Sequence, residues 1–425
     1  MSQSSVKEVK KDRLEDYNIM DPELIECPFH HWDQLRREAP VFQDPMTGIF
    51  MVSNYDLVCE LNNHPDIFSS KLAGQFGNTA DISEEEAQRM ADTGFPPMDT
   101  MLTADPPEHT RYRKLVNKAF SPKRVNEMEP EIERICNALI DDFIEKGEVE
   151  FSAEFAQLLP VTVIAGQLGV PMQDQERFRR WSNAAAMLIG QMGSPEEMQE
   201  AMAQLIQWKD YFTDKIAEKT ANPTDDIISD LTQLKLDVDG EERPLNLPEM
   251  LSIIQQIFVA GNEATAKALT ETMYLLVSNP DQLAEVLEDP ALQRKAADEV
   301  LRYLTPSNNM FRRSTQDTEL NGVKIPKDSV IMVKYGSANR DEAKFEDAAE
   351  FNIHRANGSE HVAFGRGIHT CLGSALARKE LMVAMRILFG RIKNWNFPDG
   401  KNEFRHPPNF LLRGMTHLVL GFEKA

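Results

Sequence analysis

Cys371 is one of four cysteines in a chain of 425 residues, and it lies in the stretch AFGRGIHTCLGSALARKE, residues 363–380, among Gly365, Gly367 and Gly373. The residues behind it, LGSALARKELMVAMRILFG, read as a helix. The sulfur therefore stands just ahead of free N–H groups and a positive helix end, both of which favour a thiolate. Closely spaced glycines let a backbone run flush against a flat object and take up positive φ. A cysteine packed only for bulk needs neither feature. Zinc is a weak rival: His361, His369 and Cys371 are close in sequence, but no second thiol or histidine pair supplies the remaining ligands. A nucleophilic cysteine would use the thiolate, yet the glycines suit a planar partner better than a small acyl group. One soft anionic ligand on a metal carried by a large flat cofactor describes a thiolate-ligated haem.

A second stretch with chemical content lies inside the longest predicted helix, NLPEMLSIIQQIFVAGNEATAKALTETMYLLVSNP. Asn246 reads as its N-cap, Pro248 falls in the first turn, Glu249 holds the capping-box position, and Asn279-Pro280 stops it after Ser278. Its length is on the order of 45–50 Å, the width of a domain. Such a helix is expected to be central and buried, yet its middle reads Ala260-Gly261-Asn262-Glu263. Glycine there costs roughly 1 kcal/mol against alanine, and a buried carboxylate costs more unless paired. The bland reading is a packing notch beside a solvated acid. The sharper one is a close approach by a ligand, with an ionisable group held above it.

The elements that must position these residues are mostly helical. Residues 40–52, PVFQDPMTGIFMV, predict two short strands around a turn, and helical periodicity dominates from about 107 to 305. Short strands with an Asn321-Gly322 turn return over 309–334, and a last helix spans roughly 372–390. The fold class is mainly α with a small β region. Forty-six Lys and Arg against 68 Asp and Glu give a net charge of −22, which argues against nucleic acid and anionic membrane surfaces as partners. The cysteines lack paired spacing, and no segment holds about 18 uninterrupted apolar residues. A cytoplasmic protein without a membrane anchor is expected, with about residues 1–20 as a flexible N-terminal segment.

The run Phe364-Gly365-x-Gly367-x-His369-x-Cys371-x-Gly373-x-x-Leu376-Ala377-Arg378 resembles the haem-binding signature of the cytochromes P-450. Glu299 and Arg302 resemble that family's E-x-x-R pair, which bonds an arginine, here Arg355 in FEDAAEFNIHR, to brace the cysteine loop; Ala348 stands where members often have proline. The resemblance covers nearly the whole chain and implies one P-450 domain over 1–425, with the long helix over haem b and Cys371 as axial ligand. It further implies that His109, Arg113, Arg312 and His369 hold the two propionates.

The resemblance implies a monooxygenase that inserts one atom of O2 into a substrate. The family's A-G-x-(D/E)-T segment reads Ala260-Gly261-Asn262-Glu263-Ala264-Thr265 here, so the acid is present and the alcohol position holds alanine. Thr265 cannot substitute, because one residue along a helix turns a side chain by about 100°. An ordered water or a substrate hydroxyl is expected to complete the relay. The alternative is a haem-thiolate protein that uses peroxide, or a non-hydroxylating isomerase or ligand binder. Gly261 is expected to let oxygen approach. Two basic islands, one holding Arg111 and Lys114 and the other Arg366 and Lys379, predict a docking face for an acidic ferredoxin served by a separate reductase. Candidate pocket walls are Phe95, Met98, Gln256, Ala260, Asn308, Phe410 and Leu411, with Met187, Met192, Met198 and Met202 in the lid. The expected substrate is a mid-sized apolar molecule: terpenoid, steroid, fatty acyl or aromatic.

Overall fold

The computed structural model describes residues 8–71, 98–190 and 194–425. Strands β1 (Val41–Gln43) and β2 (Phe50–Val52) pair antiparallel around the expected turn. The chain continues through helix α1 (Tyr55–Asn62), strand β3 (Phe68–Ser69) and helices α2 (Glu108–Val116), α3 (Glu129–Asp141), α4 (Leu158–Gln167), α5 (Gln175–Gly190) and α6 (Pro195–Ala221). Next come the long helix α7 (Leu247–Ser278) and helix α8 (Leu292–Leu304), then strands β4 (Met310–Ser314) and β5 (Val330–Val333). Helix α9 (Ser374–Arg391) follows the cysteine loop.

Helix α7 starts and stops as its sequence dictates. Asn246 accepts the Glu249 N–H at 2.9 Å, and the Glu249 carboxylate accepts the Asn246 N–H at 2.7 Å. At 32 residues it spans roughly 48 Å. Ile253, Ile254, Ile257, Phe258, Leu269, Met273 and Leu276 bury its apolar surface, and it packs against α4, α5, α8 and α9. An aromatic cluster of Phe178, Trp181, Trp208, Tyr211, Phe212 and Phe258 ties α5 and α6 onto it.

The main sheet runs β1-β2-β5-β4-β3, with β5 parallel to β2 and antiparallel to β4. Asn321 and Gly322 take φ values of 51° and 77°, as a tight hairpin turn between the flanking strands requires. Three strands, Glu148–Glu150, Ile392–Asn396 and Val419–Lys424, form a second small sheet beyond α9. Among the described residues no helix is long and apolar enough to cross a membrane.

One expectation needs correction here. The N-terminal segment is docked from Leu14 onward: Leu14, Tyr17 and Ile19 are buried, and the Tyr17 ring stacks on His31 with centroids 4.5 Å apart. Three apolar side chains recurring over six residues are enough to seat this stretch against the sheet.

Candidate functional site

The cysteine loop is built by its own backbone and braced from α8. The Cys371 N–H donates to the Phe364 carbonyl at 2.8 Å, and the Gly365 N–H to the Val362 carbonyl at 2.9 Å. Beneath it, Arg302 is wholly buried and donates to both Glu299 oxygens at 2.7 and 2.8 Å and to the carbonyls of Asn339, Ala348 and Glu350 at 2.8–2.9 Å. Arg355 donates to Glu299 at 3.2 Å, and the Asn352 N–H adds a further bond to the same carboxylate. Ala348 serves this network through its carbonyl, so the absence of proline there leaves the brace intact.

Gly365 and Gly367 take the positive φ expected of them, 67° and 76°, whereas Gly373 does not. Gly367 (φ 76°) faces α1, and a Cβ there would lie 2.2 Å from the Asn62 carbonyl oxygen. Its smallness serves the protein's own packing rather than a flat partner, contrary to the sequence expectation. Gly373, whose N–H interacts with the Cys371 sulfur, has nothing within 4 Å on its Cβ side.

Cys371 is exposed, although the surrounding protein desolvates its thiol. Burial pushes its thiol pKa up, against the opposing pull of the Gly373 N–H, Arg113 and Arg378.

On one side of the sulfur the sequence-predicted propionate partners converge. The His109 and His369 rings lie 4.2 Å apart, and both His109 nitrogens and His369 Nε2 are buried without a hydrogen-bond partner. Burial, Arg312, His109 and Arg113 push His369 down to about 3, so its ring is neutral at pH 7, and burial and Arg113 lower His109 as well. Arg113 donates to the Thr370 carbonyl at 2.6 Å and to Asn117 at 3.1 Å; Arg312 donates to the Phe311 carbonyl at 2.7 Å and to Asn62 Oδ1 at 3.2 Å. Two guanidinium groups beside three buried imidazole nitrogens that have no protein partner, of which neutral His109 can donate from only one, form a cationic, hydrogen-bonding site that lacks an anion. Haem propionates fit it, and Cys371 fits the iron.

Sequence reading missed two residues of this set. Asn62 accepts from both Arg312 and the Tyr335 hydroxyl, the latter at 2.8 Å, and so holds Arg312 in place. Nothing in the local sequence around Asn62 or Tyr335 signals that role.

On the other side lies α7. Ala260 is exposed in mid-helix between buried Phe258 and Asn262, and Ala264 is half-buried one turn on, so the two small residues share a face lining open space. Glu263 points elsewhere. Its Oε1 accepts from Ser182 at 3.3 Å in a cleft of about 10 Å³ lined by Gln157, Arg179, Asn183 and Asn262, room for one water. Burial raises its pKa, with Lys267 and Ser182 opposing. Thr265 is buried among the helices.

Four expectations about this side change. The missing Cβ of Gly261 faces Ile164 of α4, at 2.7 Å, so that glycine is the packing notch and not a gap for oxygen. Gln256 is tied down: it donates to Thr100 at 2.6 Å and accepts the Leu102 N–H at 3.0 Å, so it anchors the loop ahead of α2 instead of offering a free amide. Met98 belongs to the same anchor through its carbonyl, which accepts from Ser252 at 3.0 Å. Asn308 and Phe410 line a different cavity of about 30 Å³ with His31, Trp32, Asn309 and Lys334, and Leu411 packs with Leu14, Ile19 and Met332. These three support the N-terminal region. Phe95 and Met192 lie outside the described residues; Met187 and Met202 are exposed on α5 and α6, and Met198 is half-buried on α6.

The basic islands are partly neutralised. Lys379 pairs with Glu129 at 2.6 Å, Arg386 with Glu129 and Glu133, Arg391 with Asp141, and Arg111 with Asp239 at 2.7 Å. Lys114, Lys118 and Arg366 are exposed and have no ion pair among the described residues.

Comparison with known proteins agrees with this geometry. The family model described as cytochrome P450 matches residues 69–401. The chain is 36% identical to 6-deoxyerythronolide B hydroxylase of Saccharopolyspora erythraea, over 75% of this chain and 76% of that protein. It is 34% identical to a steroid C26-monooxygenase of Mycobacterium tuberculosis, over 83% of this chain and 89% of that one. Its fold superposes on cytochrome P450 CYP109Q5 from Chondromyces apiculatus with a TM-score of 0.83 and 31% identity, over 97% and 100% of the two chains.

Proposed function

The chain belongs to the cytochrome P450 family of haem b monooxygenases, and from that premise we propose that it inserts one oxygen atom from O2 into a mid-sized apolar substrate, using electrons from a separate acidic ferredoxin. The observation that carries this reading is the set of unpartnered His109 and His369 nitrogens flanked by Arg113 and Arg312, with Arg113 bonded to the carbonyl of Thr370, the residue before Cys371. Cys371 would ligate the iron and the four basic residues would take the propionates. When bound, a haem held by the Cys371 thiolate would supply oxygen activation.

The remaining chemistry belongs to side chains. Glu263 opens onto the small cleft at Ser182 and Arg179, which suits it to take up a proton from solvent. Its raised pKa brings it closer to the range in which an acid both gains and gives a proton. Ala264 has no hydroxyl to pass that proton on, so a water, or a hydroxyl of the substrate, completes the transfer. Ala260 and Ala264 leave room for an apolar body over the cysteine. Relatives named for a steroid and for 6-deoxyerythronolide B support a polycyclic or large-ring substrate bearing at least one hydrogen-bonding group. The donor's docking face is best assigned to Lys114, Lys118 and Arg366, since Arg111 and Lys379 already have carboxylate partners.

Two experiments test the reading. The reduced, carbon-monoxide-bound protein should show the red-shifted Soret band of thiolate ligation; an imidazole-type spectrum from folded protein refutes it. Screening apolar compounds for the low-spin to high-spin shift should then identify the substrate. With that substrate, Ala264→Thr should leave product formed per reduced nicotinamide within about twofold, or about 0.4 kcal/mol, because a water or substrate hydroxyl already supplies the step that the added hydroxyl would take. A large gain in coupling would instead favour a peroxide-using or poorly coupled enzyme.

A further inference from the structure

Beside the Glu299 brace, the preceding residue of α8 makes a second connection to the cysteine loop. Asp298 is 5% exposed. Its Oδ1 accepts from Arg378 Nε at 2.7 Å and lies 3.6 Å from His361 Nε2, while its Oδ2 accepts from Arg294 Nε at 3.0 Å. Arg378 in turn lies flat over Phe364, its guanidinium carbon 4.5 Å from the ring centre, and the carbonyl of Phe364 is the acceptor for the Cys371 N–H. The path Asp298–Arg378–Phe364–Cys371 thus joins a buried carboxylate to the sulfur. Arg378 is also one of the two cations whose field pulls on that sulfur.

We infer that Asp298 is a positioning residue that sets how much of the positive charge of Arg378 reaches the Cys371 sulfur, and thereby the reduction potential of the haem. It rests on the reading of Cys371 as the iron ligand. Paired with Asp298, Arg378 is held over Phe364 with part of its charge offset, since the same carboxylate also serves Arg294. Without the carboxylate, a full cation remains in a weakly screened interior. It draws electron density from the thiolate and stabilises the reduced iron.

Asp298→Asn keeps an acceptor for Arg378 and removes only the charge, so it separates field from packing. In spectroelectrochemical titration of the substrate-free haem protein it should shift the midpoint potential upward. Asp298→Glu should restore it toward the wild-type value. The double variant Asp298→Asn with Arg378→Gln should also return toward wild type, because both charges are gone. A brace that is merely structural would lower haem content in all three and leave the potential of the intact thiolate fraction where it was; that result overturns the inference. Should Asp298→Asn not hold haem, Arg378→Gln alone decides: a downward shift supports the field and an unmoved potential refutes it. The carbon monoxide spectrum of the wild type keeps the two levels apart. Absence of thiolate ligation there brings down the assignment of Cys371 itself, whereas a normal spectrum with an unresponsive potential brings down only the role of Asp298.

Discussion

Gly367 and Gly373 stand on either side of Cys371 and should respond oppositely to the same added methyl group. At Gly367 the backbone sits at φ 76°, and the new Cβ would come within 2.2 Å of the Asn62 carbonyl oxygen. The left-handed conformation costs a side chain about 1–2 kcal/mol, and forcing the carbonyl aside costs about 1–3 kcal/mol more. Gly367→Ala should therefore destabilise the fold by about 2–5 kcal/mol, out of roughly 5–15 kcal/mol in all. Gly373 has φ −83° and ψ 7°, and no atom lies within 4 Å of its Cβ position. Gly373→Ala should leave the chain's own stability within about 1 kcal/mol of wild type. Its methyl group occupies the space beside the sulfur, and about 1–3 kcal/mol of overpacking against a flat cofactor corresponds to haem lost about 5- to 150-fold faster. Urea unfolding followed by far-UV circular dichroism measures the first effect, and haem transfer to apomyoglobin the second. If Gly373→Ala retains haem like wild type while Gly367→Ala folds with unchanged stability, the assignment of the open face to the cofactor is wrong.

Other consequences can be measured in parallel. Arg302→Lys keeps the charge but replaces a five-donor planar fork with three donors, so at least one buried carbonyl and the bidentate bond to Glu299 are lost. A destabilisation of about 2–4 kcal/mol is expected in urea unfolding, and no change would refute the brace. Lys114→Glu or Arg366→Glu should slow ferredoxin-driven reduction more than Lys379→Glu does, and the wild-type rate should fall with added salt; stopped-flow reduction shows whether the order holds. Lys334 is buried, and burial pulls its pKa from 10.5 down to about 8, with Asp44 opposing. Between those values the unfolded chain binds the extra proton, so this lysine's penalty is full below about pH 8 and fades as pH rises toward 10.5. Lys334→Met should stabilise the protein at pH 7 by at most on the order of 3 kcal/mol, with a gain that shrinks above pH 8. A pH-independent gain would mean that charge burial is not its cause.

Residues that act through their immediate neighbours in sequence were readable without a structure. The capping box of α7 is a pattern of Asn246 and Glu249 three residues apart, and it forms as written. The hairpin at Asn321-Gly322 follows from two residues that tolerate positive φ. Glu299 and Arg302 lie on one face of α8 because a helix brings every third residue together, and their pairing follows. Cys371 with its glycines and the helix behind it forms a contiguous motif, which is why it can be proposed as the haem ligand from the chain alone.

What the sequence by itself determined was therefore the mainly helical fold class and, as proposals, the cysteine ligand and its basic neighbours, together with the alanine at the alcohol position. Only the tertiary structure decided the rest. It gave Gly261 to Ile164 and Gly367 to Asn62, tied Gln256 to Thr100, and moved Asn308, Phe410 and Leu411 to the N-terminal region. It also cancelled Lys379 with Glu129 and set Asp298 against Arg378. In each case the deciding partner lies from 80 to more than 300 residues away, and a pairwise contact at that separation leaves no periodicity, cap or turn signal in either stretch of chain. Local geometry is written in local spacing, whereas the choice between a notch and a pocket, or a free charge and a paired one, depends on which surfaces the packed helices bring together.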